Sequence, residues 1–170
     1  KERRVTMLTM LIITIVICIL FTIVEIVSAK KNPIAGLHNL PRDIQERVHS
    51  LPEYQGKVEK ILSNRERIMK KIPALVLVLF VFAGLVHFAG ADNFLKGFGY
   101  TFGMWAVVKL YVALVLMCGW YAHSPSAWIK GTEDMKTSYQ NYGFYLKSIP
   151  RSLLAGAIVG VVIGIMMMCV

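Results

Sequence analysis

Four apolar runs alternate with polar connectors along this chain of 170 residues. Residues 5–24, 72–91 and 152–170 contain no Asp, Glu, Lys or Arg, and 97–120 contains one, Lys109. A hydrocarbon layer about 30 Å thick takes about 20 helical residues. Lipid offers the backbone no hydrogen bonds, so runs of this length resolve as helices. The pattern predicts an all-α membrane protein with four transmembrane helices, over about 5–29, 72–90, 94–120 and 152–170. A helical amphipathic connector over 30–71 joins the first and second, a tight turn at Gly90-Ala91-Asp92-Asn93 joins the second and third, and 121–151 joins the third and fourth. The whole is one membrane domain.

The connectors carry their own patterns. Asn32-Pro33 and Gly36 mark a turn. Ile44, Val48 and Leu51 recur at i, i+4 and i+7, which predicts a short amphipathic helix. Ser50 and Glu53 have capping-box spacing and predict a second helix over 53–71, with Val58, Ile61, Leu62 and Ile68 on its apolar side. Such a helix either lies among lipid headgroups or covers the end of the bundle. Pro73 suits the first turn of the second span, and Pro150 introduces the fourth. In the last connector, Ser124-Pro125 and Lys130-Gly131 read as turns. Thr132 reads as the N-cap of a short helix over 135–146 that carries Tyr139, Tyr142 and Tyr145, with Glu133 and Asp134 in its first turn.

Small residues give the sharpest packing signal. Ser152, Gly156, Gly160 and Gly164 repeat every four residues, a ridge on which another helix can approach closely. Gly99 and Gly103 form a second small-xxx-small face and are the expected partner within the chain. A homo-oligomer or a partner membrane subunit is the other way to cover these faces.

Charge sets the orientation. The net charge is +9, carried mainly by the connectors. Residues 30–71 hold ten Lys or Arg and 121–151 hold four, against three before the first span and Lys96 alone after the second. Short basic connectors stay inside, so connectors 30–71 and 121–151 are expected in the cytoplasm of a multi-pass protein of the cell membrane. Their natural partners are the bilayer and its anionic headgroups. No aromatic-interleaved basic patch points to nucleic acid. Cys18, Cys118 and Cys169 show no paired spacing and read as small hydrophobes. The first run follows basic residues as a signal peptide does, but it is too long for one, and 25–30 is a poor cleavage site.

Candidate chemistry is sparse. Glu25, His87 and Lys109 are the ionisable groups within apolar runs. Such charges are costly, usually face a bundle interior, and mark functional sites. Lys109 lies eleven residues before Trp120, about 16 Å of helix rise and near mid-bilayer; Glu25 lies five residues before Lys30, about 7–8 Å from the same side. A Glu25–Lys109 binding site is therefore geometrically open. His87, nearer the outer edge, reads as an interfacial histidine. His123, Lys130, Glu133 and Asp134 gather polar chemistry at the cytoplasmic face and are weak candidates for catalysis on a lipid-linked substrate. No metal spacing, phosphate-binding glycine loop or nucleophile elbow occurs, so neither metal nor cofactor is expected.

Trp120-Tyr121-Ala122-His123, then Gly131-Thr132-Glu133-Asp134-Met135 and Tyr142-Gly143-Phe144-Tyr145, resemble a pattern in small uncharacterised bacterial polytopic integral membrane proteins, some loosely labelled permeases. The resemblance covers the last third of the chain and implies no particular reaction. The expected function is a transport-related or accessory membrane protein with an intramembrane polar site. A membrane enzyme and a partner-binding scaffold are the alternatives.

Overall fold

The computed structural model describes residues 2–32, 34, 36–56 and 64–169. It is all-helical, with no strand among the described residues. Helix α1 spans Glu2–Lys31, α2 Arg42–Ser50, α3 Asn64–Phe88, α4 Phe94–Tyr111, α5 Lys136–Tyr139 and α6 Tyr142–Met166. Beyond α4 the helix widens into a π-helical stretch, Val112–Trp120, and tightens into a 3₁₀ turn, Tyr121–His123. Among the described residues three helices are long and apolar enough to cross a membrane: Met7–Lys31, Phe94–His123 and Lys136–Met166. Val76–Phe88, within α3, is a shorter apolar helix.

Several local expectations are corrected. Ser50 closes α2 and does not open the next helix: its Oγ donates to the Arg47 carbonyl at 2.7 Å. Pro52–Tyr54 then form a 3₁₀ turn, and Gly56 takes a left-handed φ of +85° that ends it. The rest of the helix expected from 53 to 71 falls on 57–63, outside the described residues, and on the opening of α3. Pro73 lies inside α3 and Pro150 inside α6, so neither starts a helix. Thr132 is no N-cap either. The helix expected over 135–146 breaks at Gln140 and Asn141, and Asn141 caps α6 by accepting from the Phe144 N–H at 3.1 Å. The last span therefore begins about ten residues before 152.

The chain folds as two compact units, Lys1–Ile17 with Ile61–Lys109 and Pro150–Val170, and Cys18–Lys60 with Leu110–Ile149. In the first, α3 and α4 form the expected hairpin. Gly90, at φ +83°, ends α3, and the Ala91 N–H reaches back to the Val86 carbonyl at 3.1 Å. Asn93 caps α4 by accepting from the Lys96 N–H at 3.0 Å. Lys96 also pairs with Asp92 at 2.7 Å, and that bond holds the Asp92 carboxyl below its ordinary range. Val86, Met104, Val159 and Ile163 form the core where α3, α4 and α6 meet.

The small-residue ridge of α6 packs on α4, but on a different face from the one expected. Gly164 lies against Phe94, Gly160 against Phe98 and Gly156 against Trp105. Ser152 receives the Trp105 indole N–H at its carbonyl, 2.9 Å away. Gly97 also faces this ridge: a Cβ there would stand 3.0 Å from the Gly164 Cα. At Gly99 and Gly103 a Cβ would meet nothing within 4 Å, and both residues face outward. The glycine groove takes aromatic rings rather than a second glycine face, because a ring fills the volume that missing side chains leave.

The second unit is built on an aromatic nucleus. The Trp128 and Tyr139 rings stack at 4.7 Å, 4° from parallel, with Tyr121 beside them. The Tyr139 hydroxyl bonds Thr132 Oγ1 at 2.7 Å and accepts from the Ile129 N–H at 3.2 Å. Thr132 Oγ1 lies 2.7 Å from the Ile129 carbonyl, and the Trp128 indole donates to the Tyr121 carbonyl at 3.0 Å. Leu37, Leu40, Ile44 and Val48 cover this nucleus. The first amphipathic stretch is thus a protein-facing lid, with Ile44 and Val48 fully buried and Leu51 partly so. Ser138 Oγ donates to Asp43, tying the same two connectors together at the surface.

Candidate functional site

Glu25 sits near the end of α1, where Ser28, Ala29 and Asn32 follow at i+3, i+4 and i+7. Those spacings place all four on one helical face. The Asn32 N–H closes the helix on the Ser28 carbonyl at 2.8 Å. The chain then turns through the 3₁₀ segment Leu37–Asn39, whose buried Leu37 and Leu40 anchor it to the aromatic nucleus. This turn brings Gly36 and Asn39 to face the end of α1. The opposite wall comes from Met117 in the π-helical stretch and Tyr121 one turn on. The Tyr121 N–H is shared between the Leu116 and Met117 carbonyls, so the π register and its recovery set where Tyr121 points.

Together these residues line a small recess at Glu25 that is partly open to solvent. The side chain of Glu25 is half-buried, and no hydrogen bond or ion pair to it occurs among the described residues. The remaining polar lining groups, Ser28, Asn32, Asn39 and Tyr121, are neutral. Nearby, Thr22 Oγ1 and the Tyr111 hydroxyl bond at 2.7 Å, which joins α1 to the start of the π-helical stretch inside the apolar region.

Lys109 is half-buried on α4 and belongs to the first unit, whereas Glu25 belongs to the second. The recess itself is complete within the second unit. His87 is exposed near the end of α3. His123, Lys130, Glu133 and Asp134 are all exposed. His123 Nδ1 lies 2.9 Å from the Gly119 carbonyl and its Nε2 lies 3.2 Å from the Tyr142 hydroxyl. Glu133 accepts from the Gly131 N–H at 2.8 Å, and such backbone bonds hold its carboxyl below the ordinary range. No hydrogen bond joins any two of these four among the described residues. Tyr54, close by, is shifted upward by burial and by the negative charges of Glu53 and Glu133. Among the described residues no group of three or more His, Cys, Asp or Glu is arranged to hold a metal.

Sequence reasoning singled out Glu25 but missed its companions. Ser28 and Asn32 carried a signal, their helical spacing from Glu25. Asn39 and Tyr121 carried none, because a turn and a π-helical register bring them in. No family model, curated protein or solved structure matches this chain.

Proposed function

We propose that this chain is a small multi-pass protein of the cell membrane, transport-related in its own right or as an accessory subunit, that works through the protonatable Glu25 site. The observation that carries this reading is the half-buried Glu25 carboxylate inside a helix long enough to cross a membrane, opening on a recess lined by neutral polar groups. A carboxylate within a membrane-spanning helix is costly even toward its end, and ionisable groups retained there commonly belong to proton or ion pathways. Protonation removes the charge and loss of the proton restores it. The site therefore has two states that a proton gradient can drive.

The four apolar runs make four spans in this reading, α1, α3, α4 and α6, with the shorter apolar stretch Val76–Phe88 as the fourth. The packing of residues of 37–48 beside residues of 121–139 supports a shared side for the two connectors. With basic connectors inside, 30–71 and 121–151 are cytoplasmic.

The test is proton flux in liposomes containing the purified protein. Wild type is expected to dissipate an imposed pH gradient, and Glu25→Gln to reduce the rate at least tenfold while keeping its helical circular dichroism. Full flux in Glu25→Gln would sink the proposal. Lys109→Met, measured alongside, reports whether the cation on α4 serves the same function.

A further inference from the structure

We infer that the recess around Glu25 binds an organic cation, a protonated amine on a small apolar body. This rests on the transport reading above and names its cargo class. Among the described residues the charge balance of the lining is one-sided: Glu25 is the one carboxylate, and no Lys, Arg or His contributes. An anion entering would meet like charge with no compensating cation. Ser28, Asn32, Asn39 and Tyr121 offer neutral oxygens that can accept the N–H groups of an ammonium once Glu25 has neutralised its charge.

The remaining wall decides between a bare ion and an amphiphile. Leu40 and Met117 stand beside the polar groups, and Met side chains adapt to varied apolar shapes. A hard inorganic cation asks for six or more oxygen ligands and gains nothing from apolar contact. An alkyl or aryl ammonium uses both halves of the recess. The recess is small and partly open to solvent, which suits an ammonium head with its apolar body at the rim. Binding and protonation of Glu25 then exclude each other, which is the exchange that couples a cation to a proton moving the opposite way.

The experiment uses the full chain in lipid nanodiscs, with benzylammonium chloride as probe and benzyl alcohol, benzoate and sodium chloride as controls. Binding is read by calorimetry, after subtraction of protein-free nanodiscs. Benzylammonium is expected to bind saturably, at least tenfold more tightly than benzyl alcohol, with no binding of benzoate. Glu25→Gln is expected to lose at least tenfold in affinity and Glu25→Asp to keep most of it. Asn39→Leu, at an exposed rim position away from the core, is expected to weaken binding about threefold and keeps the test open if the Glu25 variants fold poorly. Equal binding of benzyl alcohol, heat from sodium alone that matches benzylammonium, or unchanged affinity in Glu25→Gln would overturn the inference. Proton flux that depends on Glu25 without benzylammonium binding would refute the cargo and leave the transport reading standing. Benzylammonium binding without flux would do the reverse.

Discussion

At Tyr139 one hydroxyl serves two buried groups, the Thr132 side chain and the Ile129 N–H. Removing it in Tyr139→Phe keeps the ring stacked on Trp128 but leaves a buried backbone donor without a partner. Such a loss costs about 1–3 kcal/mol, so the variant is expected to unfold at lower denaturant concentration in detergent with its helical content intact beforehand. Glu133 makes a pH prediction. Backbone N–H groups stabilise its ionised form and lower its folded pKa. The bonds therefore help at neutral pH, from above the unfolded value, and fade as pH falls through the depressed folded one. NMR titration of Glu133 should give a midpoint below that of an unstructured Glu peptide, and a midpoint at or above it would contradict the Gly131 contact. Glu25 was legible as a residue because a carboxylate among twenty apolar neighbours stands out. Thr132 was misread because its Ser/Thr-then-acid pattern is shared by caps and by buried hydroxyls, and only packing distinguishes them.

Among the helices, α6 shows how a periodic signal can be right about a face and silent about its partner. The four-residue repeat of small residues fixed which side of α6 is approached closely. It held no information about the rings of Phe94, Phe98 and Trp105 that fill it. The two glycine faces of α4 now make opposite predictions. Gly97→Ala places a methyl 3.0 Å from the Gly164 Cα, where backbone must shift. Overpacking of this kind costs about 1–3 kcal/mol, and thermal unfolding in detergent should show it as a lower midpoint. Gly99→Ala, with open space around it, should leave the midpoint unchanged or slightly raised. If the two variants behave alike, the observed α4–α6 contact is wrong. Pro150 was read as a helix boundary because proline lacks an N–H and crowds the preceding turn. The helix nonetheless runs on through it, held by the packing of α6 on α4 beyond. Ser148 Oγ, 2.6 Å from the Tyr145 carbonyl, supplies a local bond just before the interruption.

For the whole molecule the useful fact is that two connectors far apart in sequence share one nucleus. Hydropathy showed where the helices lie, and charge counting suggested which connectors share a side. Neither indicated that Ile44 and Val48 are fully buried under Trp128 and Tyr139, since an amphipathic stretch looks the same whether lipid or protein covers it. The topology is testable by labelling with a membrane-impermeant maleimide in a background lacking Cys18, Cys118 and Cys169. Glu46→Cys and Ser126→Cys, both at exposed positions, should react from the cytoplasmic side, and Asp92→Cys from the other. Reaction of all three from one side would reduce the spans to fewer than four.

The π-helical stretch carries a consequence for engineering. A wide turn holds surplus chain relative to an α-helix, so excising one residue, such as Val115, can let Val112–Trp120 rewind into ordinary register. The helix beyond that cut would keep close to its heading, whereas the same excision in regular α4, at Val107, would swivel everything beyond it about 100° around the helix axis and turn Tyr121 from its wall. Such a chain would keep its greasy helices, while the recess at Glu25 would stand with one wall missing.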